Sequence, residues 1–287
     1  GMVAADVDLD RLAAERRSSS TWTRPLFATG AVQEVSFSYG AARPRGDERA
    51  CDAAAPEIHE APSLLYSALE TLRVAPRAPF VPADDRDLAQ RCETILDLQT
   101  VGLATRLANT SSQSAVIGLS GGLDSTLALL VCVRAFDRLG LARTGIMAVS
   151  MPGFGTTGRT KSNAQRLAEQ LGVSFREVPI GEAVRLHFSD IGHDPEVQDV
   201  TYENSQARER TQILMDLANE LGGFVIGTGD LSELALGWAT YNADHMSMYG
   251  VNASVPKTLV RHLVRYAADV FGGEIAGVLL DVLDTPV

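Results

Sequence analysis

Basic charge is scarce in this chain. Lysine and arginine number 25 against 36 aspartate and glutamate residues, a formal net charge of −11 at neutral pH. That argues against a general nucleic-acid binder, which carries a basic face. It leaves room for a small phosphorylated ligand, because a few backbone N–H groups can hold one. Long apolar runs are lacking too. The longest near the middle, Leu127 to Val133, falls well short of the roughly 20 residues that a bilayer-spanning helix needs, so no membrane segment is expected. Asp6, Asp8, Asp10 and Glu15 break up any secretory apolar core near the start. The 3 cysteines, Cys51, Cys92 and Cys132, have no metal-ligand spacing and leave an odd thiol, a usage that fits a reducing cytoplasm. What is present in quantity is core material: 45% of the 287 residues are hydrophobic, enough for a folded domain.

Two parts are expected, 1–83 and 84–287. In the first, Ala4 to Leu12 could form a short strand running into a helix, and residues 42–63, rich in Ala, Pro and charge without steady period, read as a linker. In the second, apolar residues at helical spacing (Leu88, Cys92, Ile95, Leu96, Leu98, Val101, Leu103, Leu107) predict a helix over Asp85–Thr110. Strands are expected at Ser114–Leu119, Thr144–Met151, Val173–Ile180 and Phe224–Gly227. Helices are expected at Asp124–Leu139, Arg159–Leu171 and Asn204–Leu221. Strands alternating with helices give an α/β fold, a Rossmann-like parallel sheet with helices on both faces. Ligands bind such sheets at the C-terminal strand edge, and the glycine-rich stretches all follow strands.

The first stretch is Ser120-Gly121-Gly122-Leu123-Asp124-Ser125. Its glycines allow a sharp turn and close approach, and the helix it opens favours an anion at its N-terminus. A Walker lysine is missing. In its place stands Asp124, a carboxylate that beside phosphates makes sense mainly as a Mg²⁺ ligand. A second stretch, from Gly227 and Thr228 to Trp238, supplies Glu233, which can face the same edge and complete a metal site. A third, Gly153 to Gly158, fits the dinucleotide fingerprint with Glu177 about 20 residues beyond. Alone it would suggest a nicotinamide oxidoreductase, but that reading leaves the other two stretches without a role. Singly, each residue has a bland reading as a helix cap, a solvated charge or a core aromatic.

The string SGGLDS resembles the pyrophosphatase loop (PP-loop) of the ATP pyrophosphatases, the adenine nucleotide alpha hydrolase-like enzymes. Residues 199–214 (DVTYENSQARERTQIL) and the run from Gly227 to Thr258 are similar to glutamine-dependent bacterial NAD synthetases. This resemblance implies ATP-dependent amidation of deamido-NAD to NAD through an acyl adenylate, with ATP, Mg²⁺ and ammonia, so a carbon–nitrogen ligase. It implies ATP contacts at Gly118, Ser120, Gly121, Gly122, Leu123, Asp124, Ser125, Thr228 and Lys257, and Mg²⁺ at Asp124 and Glu233. Those two and Lys257 would act in catalysis. Asn204, Arg208, Arg210, Glu233, Trp238, Thr240, Tyr241 and Asp244 would face the dinucleotide. A homodimer or larger homo-oligomer is implied, with substrate at the subunit interface. The family's glutaminase body with its catalytic cysteine is missing, and residues 1–83 resemble the tail of that domain and its connector. Family members continue past Val287, so weak or absent ammonia-dependent synthesis with ATP binding retained is expected, and an inactive nucleotide-binding remnant is the alternative.

Overall fold

The computed structural model describes residues 78–154 and 158–285, without the side chains of residues 158–161. The expected N-terminal strand and helix, the linker and Cys51 lie outside the described residues. The elements run α1 (Asp85–Asn109), β1 (Ala115–Gly118), α2 (Leu123–Leu139), β2 (Ile146–Ser150), α3 (Gly158–Leu171), β3 (Ser174–Glu177), α4 (Gly181–Ile191), α5 (Val200–Leu221), β4 (Phe224–Gly227), α6 (Leu231–Leu236), β5 (Tyr249–Gly250), α7 (Lys257–Phe271) and α8 (Gly273–Leu283). Strand order is β3-β2-β1-β4-β5, and every pairing is parallel. The chain therefore winds outward from β1 through β2 to β3, then returns to the other side of β1 with β4. That reversal leaves a crevice beyond the C-terminal ends of β1 and β4, where open α/β sheets bind ligands.

Side chains of β1 alternate between two cores, as the period of a strand requires. Ala115 and Ile117 join the larger core, with Ile146, Ala148 and Ile226 and helices α1, α2, α3, α7 and α8. Val116 turns the other way with Val149 and Val225, against Leu217 and Ala218 of α5. Both faces of the sheet are thus covered, as expected. Helix α2 is buried along nearly its whole length, from Ser125 to Val133 and again at Ala135 and Phe136. Each fully buried leucine or phenylalanine there contributes about 1.5–3 kcal/mol. A rigid α2 fixes the glycine loop at its N-terminus, while Gly140 in the left-handed conformation (φ 66°) ends it.

The elements expected from Asp85 onward are present, with the first three strands shorter than expected, β4 at its expected bounds and α5 beginning at Val200 before Asn204. Two residues of the apolar pattern of α1 face solvent instead: Leu98 and Val101 are 69% and 42% exposed. The buried stripe of α1 is Cys92, Leu96, Thr100, Leu103 and Leu107, so the helical turn puts Leu98 and Val101 on the opposite side. No helix of the described residues is long and apolar enough to cross a membrane.

Candidate functional site

The glycine loop is pinned by its own serines. Ser125 Oγ donates to the Gly122 carbonyl (3.1 Å) and accepts from Ser120 N (3.3 Å). Ser120 Oγ lies 3.1 Å from Ser125 Oγ and accepts from Gly122 N at 3.2 Å. Gly121 has φ 81°, a conformation that side chains other than glycine's rarely adopt. Gly122 caps α2 with no side-chain hydrogen bond. The first turn of α2 therefore keeps N–H groups facing the crevice, where an anion is favoured. Leu123 turns away and packs on the core.

After β4 the chain makes a different turn. Asp230 caps α6, and the reciprocal bonds of a capping box are both made: Glu233 N to Asp230 Oδ1 at 2.9 Å, Asp230 N to Glu233 Oε2 at 3.2 Å. Each carboxylate spends one oxygen on the cap and turns the other toward the glycine loop. There Lys257 Nζ, from the start of α7, meets Asp124 Oδ2 at 2.6 Å, Asp230 Oδ2 at 3.2 Å and Glu233 Oε1 at 3.6 Å. One ligand oxygen from each of Asp124, Asp230 and Glu233 lies within 4.8 Å of the others.

Three carboxylates around one ammonium leave excess negative charge. Burial pushes the Asp124 carboxyl above its ordinary range, and the nearby Asp230 adds to the push against the pull of Lys257. Glu233 is raised for the same first reason, burial, with Asp230 and Asp124 contributing. Burial works against the charge on Lys257, but its bonds to Asp124 and Asp230 outweigh that and raise it. Asp124 Oδ1 is buried and takes no hydrogen bond, and buried Asp230 Oδ2 takes none beyond its ion-pair contact. Orphaned, clustered carboxylate oxygens of this kind fit a hard divalent cation.

Asp124 and Glu233 stand in the wall of a cleft of about 410 Å³, lined also by Gly118, Ser120, Ser125, Thr228, Arg210 and Asp244. Gly118 gives the floor room, since a Cβ there would sit 3.2 Å from Leu214. Arg210 Nε donates to the Met151 carbonyl (3.2 Å), and burial lowers the pKa of its guanidinium against the pull of Glu203 and Asp244. Among the described residues no carboxylate lies within 4 Å of the Arg210 guanidinium, so its charge is available to the cleft.

The remaining expected residues form a second group beside the cleft. Asn204 Oδ1 accepts from Thr240 Oγ1 (2.8 Å), Asp244 Oδ1 accepts from Thr240 N (2.6 Å), and Arg208 Nε donates to the Tyr241 carbonyl (3.3 Å). Helix α5 thus holds the segment after α6 in place. Trp238 and Tyr241, on that segment, are 78% and 77% exposed, and neither lines the cleft. Of the dinucleotide fingerprint, residues 155–157 lie outside the described residues.

The sequence reading missed Asp230. Its signal was the Asp-x-x-Glu spacing at a helix start, which explains the cap and conceals the second oxygen of each carboxylate, the one that faces Lys257. It also gave no role to Asn252, although that residue lies inside the run from Gly227 to Thr258 that carries the resemblance.

A family model for NAD synthase matches residues 95–271. The glutamine-dependent NAD(+) synthetase of Mycobacterium tuberculosis is 51% identical over 223 residues, covering 75% of this chain and 33% of that protein. Among solved structures, the glutamine-dependent NAD+ synthetase of Acinetobacter baumannii, in complex with ADP, superposes with TM-score 0.61 at 28% identity, over 67% of this chain and 36% of that one. The NH3-dependent NAD synthetase of Campylobacter jejuni gives TM-score 0.55 at 26% identity, over 61% and 73%. The chain spans about a third of the length of the curated relatives it matches first. With its matched region covering more than half of the sequence, the chain belongs to the NAD synthase family.

Proposed function

We propose that this chain carries the ATP-dependent amidation step of a cytoplasmic NAD synthetase, converting deamido-NAD to NAD with ammonia as the nitrogen donor. One observation supports it above the rest: the loops after β1 and β4 bring Asp124, Asp230 and Glu233 within 4.8 Å of one another, beside a glycine loop at the sheet's reversal point. The ADP complex of the Acinetobacter relative supports an adenine nucleotide as occupant of the same fold.

In this reading the amides and hydroxyls of residues 120–125, with Thr228, hold the triphosphate. Asp124, Asp230 and Glu233 would hold Mg²⁺, which when bound neutralises phosphate oxygens as a Lewis acid. The nicotinate carboxylate of deamido-NAD attacks the α-phosphorus of ATP. The bond from that phosphorus to the bridging oxygen breaks, and pyrophosphate leaves. Lys257 and Arg210 offer positive charge to the transferred and leaving groups. Ammonia then attacks the acyl carbon of the adenylate, AMP departs with the C–O electron pair, and the nitrogen loses a proton to give the amide. Asn204, Arg208, Trp238, Thr240, Tyr241 and Asp244 orient the dinucleotide from the segment beside the cleft. The flat faces of Trp238 and Tyr241 suit a pyridine or purine ring, and their exposure fits a homo-oligomer whose second copy covers them.

The chemistry asks for no thiol nucleophile. Cys92 and Cys132 are both buried, and burial pushes the Cys132 thiol up to about 12, far from the thiolate that glutamine hydrolysis would need. The test is pyrophosphate release from ATP with Mg²⁺, ammonium and one acceptor at a time. Release that requires deamido-NAD and is absent with xanthosine monophosphate is expected. Release with xanthosine monophosphate, or with neither acceptor while hydride transfer from NADH is detected, would replace this reading.

A further inference from the structure

Asn252 lies just past β5 and is wholly buried, 0% exposed. Its side-chain Nδ2 donates to two main-chain carbonyls, Asp124 O and Thr228 O, each at 3.0 Å. Its Oδ1 accepts from Gln99 Nε2 of α1 at 3.0 Å, and the same Nε2 donates to the Val251 carbonyl at 2.8 Å. A primary amide has two N–H donors and one oxygen. Two carbonyls on one side and a donor on the other therefore fix which way the Asn252 amide points.

The two carbonyls belong to the two loops that carry the acidic cluster. Asp124 is 128 residues from Asn252, and Thr228 is 24 away. The Asp124 carbonyl is already inside the first turn of α2, where the helix ladder gives it a donor. It does not need Asn252 to be satisfied, so what the extra bond adds is a fixed spacing. The other links across this region tie the β4 loop to the chain after β5: Leu231 N donates to Val255 O (3.0 Å) and Lys257 N to Ser232 Oγ (3.0 Å). Asn252 extends that tie to the glycine loop.

We propose that Asn252 is a positioning residue that sets the separation of the Asp124 carboxylate from those of Asp230 and Glu233, with Gln99 holding its amide in register. A divalent cation tolerates little error in the placement of its ligands. Buried hydrogen-bonded side chains behind ligands are what remove that error. The inference rests on the reading of the cluster as a metal–nucleotide site, and it names a residue that touches neither metal nor nucleotide.

Three variants separate the cases. Asn252→Asp keeps shape and replaces the double donor with an oxygen facing two carbonyls. Asn252→Ala removes the staple. Gln99→Met, on a half-buried helix position, removes only the supporting donor and spares the fold. Two readouts are taken on the full chain: amide hydrogen exchange across residues 121–126 and 228–233, and ATP affinity with EDTA and with Mg²⁺. We expect both loops to exchange faster together, while β1 and β4 hold. The affinity gained from Mg²⁺ should shrink by about tenfold or more in Asn252→Asp and about threefold in Gln99→Met, with metal-free ATP binding changed less than about twofold. An unchanged Mg²⁺ gain and unchanged exchange in folded Asn252→Asp, or in Gln99→Met if the former does not fold, would overturn the proposal. If the unaltered chain gains nothing from Mg²⁺, the metal–nucleotide reading fails by itself. The exchange data then still decide whether Asn252 couples the two loops: joint acceleration supports the coupling, and no change refutes it.

Discussion

The cleft and the segment beside it are built to opposite rules. Around the cleft the two loops are braced before any ligand arrives: serines bind each other, a capping box takes one oxygen each of Asp230 and Glu233, and Asn252 spans the two loops. On the segment that follows α6, Trp238 and Tyr241 are at least 77% exposed, while the backbone is held by polar links to α5, by turns of its own and by buried Ala243. In the proposed reading a single copy of this chain is therefore preorganised for a polyphosphate and a cation, and far less for a planar ring. Preorganised charge is what lowers a barrier in phosphoryl chemistry. Large apolar side chains left in water instead await a partner surface or substrate.

The largest way to break the contrast is Asp230→Asn. It keeps the capping oxygen and removes the charge. We expect Mg²⁺-dependent ATP affinity to fall by about a hundredfold, roughly 2.7 kcal/mol, with little change in thermal stability, both read by calorimetry. Equal affinity would remove Asp230 from the metal set and leave it a helix cap.

Lys257→Met is next. It strips the only ammonium that contacts the three carboxylates among the described residues. Its side chain is 45% exposed, so solvent screening holds the expected loss of stability to about 1 kcal/mol. Millimolar Mg²⁺ should restore most of that loss, because the cation takes over the neutralising charge. Denaturant unfolding with and without Mg²⁺ measures both numbers.

The pH dependence has a definite sign. Asp124 and Glu233 hold protons more tightly in the folded chain than in the unfolded one. Metal-free, the cluster therefore favours the folded state once pH falls below their raised values, and loses that contribution as pH rises through them. Mg²⁺ needs the carboxylates charged, so its stabilisation runs the other way. It should fade as pH falls through the raised values, above the range where ordinary carboxylates titrate. Melting temperatures taken at a series of pH values, with and without Mg²⁺, should diverge as pH rises. Parallel curves would contradict the assigned shifts.

The smallest expected effect is on the exposed side. Trp238→Ala and Tyr241→Ala should leave stability within about 0.5 kcal/mol and leave ATP binding alone, while weakening deamido-NAD binding. A loss of ATP affinity in either variant would merge the two regions.

These two regions were not equally legible in the amino-acid sequence. The glycine loop announces itself because tight turns, anion binding and helix starts each demand particular residue types at adjacent positions. Helix α2 and the central strands are legible because burial on all sides demands continuous apolar runs, such as Leu127 to Val133 and Ala115 to Ile117. Asp124 and Glu233 could be paired because both follow glycine-rich strand ends. Asp230 was hidden by a second job, since a capping aspartate looks the same whether or not its other oxygen faces a metal. Asn252 was hidden because its partners are main-chain carbonyls, which leave no trace in residue identity. Strand β5, two residues long, is too short for any period, and the exposure of Leu98 and Val101 reflects which face of α1 the core selects.

The central claim is that a metal–triphosphate sits between the β1 and β4 loops. Mn²⁺ can stand in for Mg²⁺ and broadens nearby NMR signals, so titrating Mn²⁺ with ATP into isotope-labelled chain maps the ion directly. Amides of residues 120–125 and 228–233 should vanish first, with the Trp238 indole signal outlasting them. Loss that starts at other acidic surfaces, with those two loops untouched, would contradict the account.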